Sequence, residues 1–177
     1  MNTAKLICII GAESTGKTTL SEVLAKHFDC PWVPEYLRDF CDSRKRTPTQ
    51  YEQLLILKTQ VLNEVSAKVG ARARNRPFVF CDTAPLLTAI YSDFVFDDKS
   101  LYARARKLHS RYTLTMLLEP DIAWMADGML RDGAHVREPI THLIERELTA
   151  INAPVTRISG HGDARIQAAI QAIRDIP

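Results

Sequence analysis

The sequence predicts an α/β fold, with a five-stranded parallel sheet covered by helices on both faces. Two observations lead there: apolar, β-branched runs alternate with segments of helical periodicity, and the first run ends in a glycine-rich loop. Residues 4–10 form the first run, which reads as a buried parallel strand ending at Gly11. Leu20, Val23, Leu24 and Phe28 then recur at helical spacing, so a helix over 17–28 follows the loop directly. Residues 31–35 predict a second strand, which Pro31 and Pro34 confine to a sheet edge or a strand end.

A long helix comes next. Thr47-Pro48-Thr49-Gln50 reads as a capping box with proline in the first turn. Tyr51, Leu54, Leu55, Val61, Leu62, Val65 and Val69 read as one apolar stripe facing the core. A third strand over 77–81 ends at Asp82, and helical patterns occupy 84–94 and 99–110. A fourth strand covers 113–118, a helix 139–151, a fifth strand 154–158 and a last helix 163–175. The segment 127–138 has little apolar content and two glycines, so it is expected to be an exposed loop. With no repeat and no Gly/Ser linker, residues 1–177 are expected to form one domain.

The bulk composition excludes some classes. Hydrophobic residues make up 46% and charged residues 25%, a balance that argues against disorder. A net charge of only +2 lacks the dense basic footprint of a nucleic-acid binder. The apolar run at the start is too short for a signal peptide or a membrane span, so no membrane partner is expected. Cys8, Cys30, Cys41 and Cys81 form no CxxC pair, and Cys8 and Cys81 sit in apolar runs as small hydrophobes. A reducing, cytoplasmic setting fits this usage best. The oligomeric state is not legible.

The chemistry concentrates in Gly11-Ala12-Glu13-Ser14-Thr15-Gly16-Lys17-Thr18, which matches the pattern G-x-x-x-x-G-K-[ST] between a strand and a helix. Gly11 and Gly16 allow backbone angles that turn successive N–H groups toward phosphate oxygens. The helix starting at Lys17 directs its positive dipole end to the same anion. Lys17 is placed to reach the β- and γ-phosphates of ATP, and the Thr18 hydroxyl to ligate Mg²⁺, with Thr19 beside it. This is the phosphate loop of a P-loop NTPase or kinase fold.

Other positions follow from it. Asp82, at the end of an apolar strand, either serves Mg²⁺ or caps the next helix, and the two roles are compatible. Glu35 ends the second strand, where a carboxylate can meet an acceptor's hydroxyl groups, and Arg38 lies one turn on. The alternative is a surface ion pair between the two. Arg131 and Arg137, after Asp127-Gly128, suit a lid over about 127–138 that closes on the triphosphate, although exposed arginines are commonly just solvated. Trp124, just before that loop, is a candidate for stacking on a planar base.

Taken in order, Gly11–Thr18, Glu35-Tyr36-x-Arg38, Gln60, Phe80-Cys81-Asp82-Thr83, Leu117-Leu118-Glu119, Trp124-x-Ala126-Asp127-Gly128, Arg131 and Arg137 resemble the ribosylnicotinamide kinase domain of the bacterial NadR family over nearly the whole chain. The resemblance implies a P-loop kinase that transfers a phosphoryl group from ATP to nicotinamide riboside, giving nicotinamide mononucleotide. It assigns Lys17 and Thr18 to nucleotide and Mg²⁺, Asp82 to the metal or additionally to the reacting hydroxyl, Glu35 and Arg38 to the acceptor side, and Arg131 and Arg137 to the lid; Trp124 and Asp127 are further acceptor-side candidates. This chain has no room for an adenylyltransferase domain before Gly11, so no adenylyl transfer is expected. Where the family carries a stacking Trp before the Glu-Tyr pair, this chain has Pro34. Two further readings stay open: a nucleotide-binding switch without kinase activity, and a kinase for another nucleoside or sugar.

Overall fold

The computed structural model describes residues 4–125 and 133–176. Five strands, β1 (Lys5–Ile10), β2 (Trp32–Val33), β3 (Phe78–Asp82), β4 (Tyr112–Leu118) and β5 (Val155–Ile158), form one sheet in the order β2-β3-β1-β4-β5. Every pairing is parallel. The prolines flanking β2 predict an edge strand, and β2 lies at one edge.

Side chains alternate along β1, so the two faces of the sheet build two cores. Leu6, Cys8 and Ile10 pack with Leu57, Leu86, Ile90, Ile140 and Ile144. These come from α3 (Gln53–Ala73), α4 (Pro85–Phe96) and α6 (Arg137–Ala150). Ile7 and Ile9 pack instead with Leu20 and Leu24 of α1 (Lys17–Phe28) and with Ala169, Ile170 and Ile173 of α7 (Gly162–Arg174). Helix α5 (Tyr102–His109) leads back to β4. The four cysteines are free and buried, as the apolar runs around Cys8 and Cys81 predict for those two. None of the described helices is long and apolar enough to cross a membrane.

Three local expectations are corrected. Residues 36–44 form a helix, α2 (Tyr36–Arg44), which buries Phe40 and Cys41 and packs Tyr36 and Leu37 against Ile56. Apolar residues at 36, 37, 40 and 41 carry that helical period, which a reading centred on the strand before them passes over. The capping box is Thr49 with Glu52 rather than Thr47 with Gln50, and a 3₁₀ turn over Gln50–Glu52 precedes α3. The loop expected over 127–138 stops earlier: Ala134–Val136 form a 3₁₀ turn with Val136 buried, and α6 begins at Arg137.

The largest correction concerns the face of α3. Of its expected core stripe, Leu54 and Val61 pack against the core, while Leu55, Leu62, Val65 and Val69, with Tyr51 before the helix, are exposed. The buried side carries Gln53, Ile56, Leu57, Gln60, Glu64 and Ala71. Its polar members are satisfied by specific partners. Glu64 accepts 2.7 Å hydrogen bonds from both Arg111 and the Tyr112 hydroxyl, and Gln60 Oε1 accepts one from the Tyr36 N–H at 2.9 Å. Burial pushes the Glu64 carboxyl above its ordinary range, against the pull of Tyr112 and Arg111.

Candidate active site

The loops after β1, β2, β3 and β4 converge at the carboxyl ends of the strands, where open parallel sheets bind ligands. The loop from Gly11 to Gly16 is built by close packing. A Cβ at Gly11 would lie 2.8 Å from Thr15 Oγ1 and 3.0 Å from the Leu118 carbonyl, so only glycine fits without a shift. Ser14 and Gly16 take left-handed φ values of 54° and 81°, a backbone that turns consecutive amides to one side. No side chain caps α1, whose N-cap is Gly16. Its positive end therefore opens onto the loop, as an anion site requires.

Inside the loop, Thr15 Oγ1 and Lys17 Nζ both donate to the Ala12 carbonyl, at 2.9 and 3.0 Å. Thr18 Oγ1 donates a 2.6 Å hydrogen bond to Asp82 Oδ2, joining the first turn of α1 to the end of β3. Asp82 is fully buried, and its Oδ1 has no hydrogen-bond partner among the described residues. Burial raises its pKa, an effect that Lys17 and the Thr18 hydroxyl oppose. Capping of the following helix is not its role, because α4 starts after Ala84 with Pro85 in its first turn.

Glu35 stands at the N-terminus of α2, held by Thr83 Oγ1 at 3.5 Å and by Arg38 Nε at 3.7 Å. Its carboxyl is also raised by burial, partly offset by Lys17 and raised again by Asp82. Lys17 is thus the shared counter-charge of two buried carboxylates. Thr83 adopts φ +76°, unusual for a β-branched residue and a mark of backbone strain at a functional position.

A cavity of about 430 Å³ joins these groups, within the usual range for small-molecule sites. Glu13 through Thr19 line one side, and Glu35, Arg38 and Thr83 line the other. Of the far wall, only Gln60 was named from the sequence. That wall includes Gln53, Ile56 and Gln60 of α3 and Leu87, Tyr91 and Phe96 of α4. Tyr91 reaches back to the phosphate loop, its hydroxyl donating to Glu13 Oε1 at 3.4 Å. Pro34 is exposed and absent from the cavity wall.

Arg165 is a second feature that the sequence reading missed. This buried residue of α7 donates to the carbonyls of Thr15 at 2.6 Å, Gly160 at 2.8 Å and Glu119 at 2.9 Å, and pairs with Asp121. It braces the phosphate loop from behind. Its sequence signal is weak, since arginines of this kind are ordinary on a helix.

The remaining predicted positions sit beside the loop. Met125 N–H donates to Ser14 Oγ at 2.9 Å, so the neighbouring Trp124 lies next to the phosphate loop and off the cavity wall. The Trp124 indole N–H has no partner among the described residues. Arg137 Nη1 donates to the Ile122 carbonyl at 3.0 Å, and Ile122 Cδ1 would lie 3.5 Å from a Cβ on Gly16. Arg137 is therefore one residue removed from the loop. Asp127 and Arg131, with the greater part of the expected lid, lie outside the described residues.

A family model described as an AAA domain matches residues 6–165 of the chain. The chain belongs to this AAA domain family. Within it, the chain is 24% identical over 180 residues to the trifunctional NAD biosynthesis/regulator protein NadR of Escherichia coli (strain K12). That alignment covers 97% of this AAA domain chain and 42% of the relative, so it spans less than half the length of the curated protein it matches. A solved structure of NadR protein in complex with NR superposes with a TM-score of 0.84 at 24% identity, covering 98% of this chain and 52% of that one. Deoxyadenosine kinase from M. mycoides, with products bound, superposes with a TM-score of 0.62 at 15% identity, over 97% of this chain and 100% of that one. The five-stranded parallel sheet of this AAA domain is thus the fold of P-loop kinases.

Proposed function

We propose that the chain is an ATP-dependent kinase that phosphorylates a hydroxyl group of a nucleoside, with nicotinamide riboside as the favoured acceptor. The observation that carries this reading is the cavity shared by the phosphate loop on one side and Glu35 with Arg38 on the other. A nucleotide switch needs only the first half. The similarity to NadR, whose structure was solved with NR, favours that acceptor. Tyr91 and Phe96 support a planar ligand, because they supply aromatic surface that Pro34 lacks.

The residues present fit Mg²⁺. Thr18 and Asp82 offer hard oxygen donors, and the second carboxylate oxygen of Asp82 is buried without a hydrogen-bond partner among the described residues. When bound, the ion neutralises charge on the phosphates. Lys17 and the amides from Glu13 to Thr18 hold and orient the polyphosphate, supplying positioning and charge stabilisation, which dominate phosphoryl transfer. Glu35 accepts a hydrogen bond from the acceptor hydroxyl and takes its proton as the new O–P bond forms and the bond from the γ-phosphorus to the bridging oxygen breaks, ADP leaving, a role that suits a carboxylate raised by burial. Arg38 keeps Glu35 oriented. Arg137, in the first turn of α6 and one residue removed from the phosphate loop, and Arg131 of the expected lid are the guanidinium groups proposed to stabilise the charge that develops on the phosphates.

The test is ADP release from ATP in the presence of nicotinamide riboside and of a panel of nucleosides, with product identified by mass. Turnover with nicotinamide riboside and loss of it in Arg131→Ala are expected. If folded protein binds ATP yet phosphorylates no nucleoside, the kinase reading fails.

A further inference from the structure

Gln60 acts on the reaction through Glu35: we infer that this buried amide of α3 is a positioning residue, which caps α2 from outside and so fixes Glu35 at the cavity. The inference rests on the kinase reading above. Glu35 is held weakly by its own neighbours along the chain. The edge strand β2 ends at Val33, after only two residue pairs with β3. Glu35 then serves as the N-cap of α2, and no side chain of that turn caps the helix. The first N–H groups of any helix lack partners inside it. In α2 the Arg38 N–H turns back to the Glu35 carbonyl at 3.1 Å. The Tyr36 N–H, next to Glu35, donates instead to Gln60 Oε1 at 2.9 Å. An acid at an N-cap ordinarily spends its carboxylate on such amides. Here the cap comes from α3, and the Glu35 carboxylate turns to Thr83, Arg38 and the cavity.

Gln60 itself has a firm base. Burial pushes the Glu64 carboxyl up, and the Gln60 amide, one turn before it on α3, is among the groups that oppose the shift. Glu64 in turn takes 2.7 Å hydrogen bonds from Arg111 and from the hydroxyl of Tyr112, the first residue of β4. Support for Glu35 therefore runs from β4 through Glu64 and Gln60 to the first turn of α2. Only 2% of Gln60 is exposed, and its oxygen is committed to Tyr36, so it backs the wall rather than gripping a ligand. A reacting group displaced by about 1 Å loses on the order of 10²-fold in rate, which sets the scale of the effect.

Gln60→Met keeps the bulk of the side chain and removes the oxygen. With the nucleoside that turns over best, kcat should fall about 10–10²-fold while the acceptor KM and the ATP affinity change less than about 3-fold. In a Glu35→Gln background the same change should cost nothing further, as for residues acting as one unit. A pair of replacements at Tyr36 gives the answer even if Gln60→Met fails to fold. Tyr36→Pro deletes the N–H at the first helical position, where proline is accommodated, and Glu35 already has the extended ψ of 111° that suits a residue before proline. Tyr36→Ala loses the ring but keeps the N–H. Tyr36→Pro should therefore be about 10–10²-fold slower in kcat than Tyr36→Ala. The proposal is overturned if Gln60→Met raises the acceptor KM with kcat intact, if its loss adds in full to that of Glu35→Gln, or if the two Tyr36 variants turn over alike. These outcomes leave the kinase reading standing. Natural protein that binds ATP yet phosphorylates no nucleoside removes that reading and this inference together.

Discussion

The Thr18 hydroxyl and Asp82 Oδ2 lie 2.6 Å apart, which couples the helix that opens the phosphate loop to the end of the neighbouring strand. Two residues distant in sequence thus form one oxygen-lined corner, and Lys17 supplies the positive charge beside it.

Lys17→Met should abolish the rise in melting temperature that ATP·Mg²⁺ produces and lower kcat/KM by about 10³-fold, the scale of losing one preorganised charge stabiliser. The ligand-free melting temperature should also fall at neutral pH, since Lys17 is the counter-charge of the buried Asp82 and Glu35 carboxylates as well as a donor to the Ala12 carbonyl. Calorimetric titration with ATP and a thermal melt together check both halves.

Asp82→Asn keeps an oxygen for Thr18 but removes a buried negative charge. Activity should fall by about 10²–10³-fold. Stability of the ligand-free protein should rise at neutral pH, with a sign that linkage supplies. The folded pKa of Asp82 lies above its ordinary 3.8, so the unfolded chain releases its proton first. Stability therefore declines as pH climbs from that value through the raised one. Glu35, raised from 4.5, acts in the same direction. Denaturant melts between pH 4 and 8 should show a smaller decline in Asp82→Asn than in the natural protein, and an identical slope would remove this account.

Glu35→Gln separates the two halves of the cavity. It should leave ATP affinity intact, lower kcat about 10²-fold, raise the acceptor KM about 10-fold, and flatten the acidic limb of the rate profile. A drop in ATP affinity of similar size would place Glu35 on the donor side instead.

Arg165→Ala leaves the Thr15, Gly160 and Glu119 carbonyls without their donor and should cost about 2–3 kcal/mol of stability, with nucleotide binding weakened in step. Arg165→Lys should not restore it, because one ammonium cannot span three diverging carbonyls and Asp121. Urea unfolding of the three proteins decides the matter.

What was legible beforehand had a short range. The phosphate loop is contiguous, and its spacing states its own geometry, so Gly11 to Thr18 could be read directly. Asp82 announced itself as an acid closing an apolar strand. Glu35 and Arg38, three residues apart, were visible as a pair, but not whether they faced the cavity. Illegible parts depended on distant partners. Gln60 entered only through the family resemblance and Glu64 not at all, and their roles emerged when Tyr36, Arg111 and Tyr112 met them. Tyr91 and Phe96 stood out only once the crevice opened beside α4.

By itself, the sequence determined the α/β alternation, the parallel sheet and a phosphate-binding loop at its carboxyl edge, because periodicity and glycine placement act over a few residues. Only the tertiary structure decided which side of α3 is buried, that α7 sends Arg165 beneath the loop, and which aromatics line the cavity. The physical reason is that burial of a polar group is settled by whether a partner across the fold satisfies it, and that partner has no fixed distance along the chain.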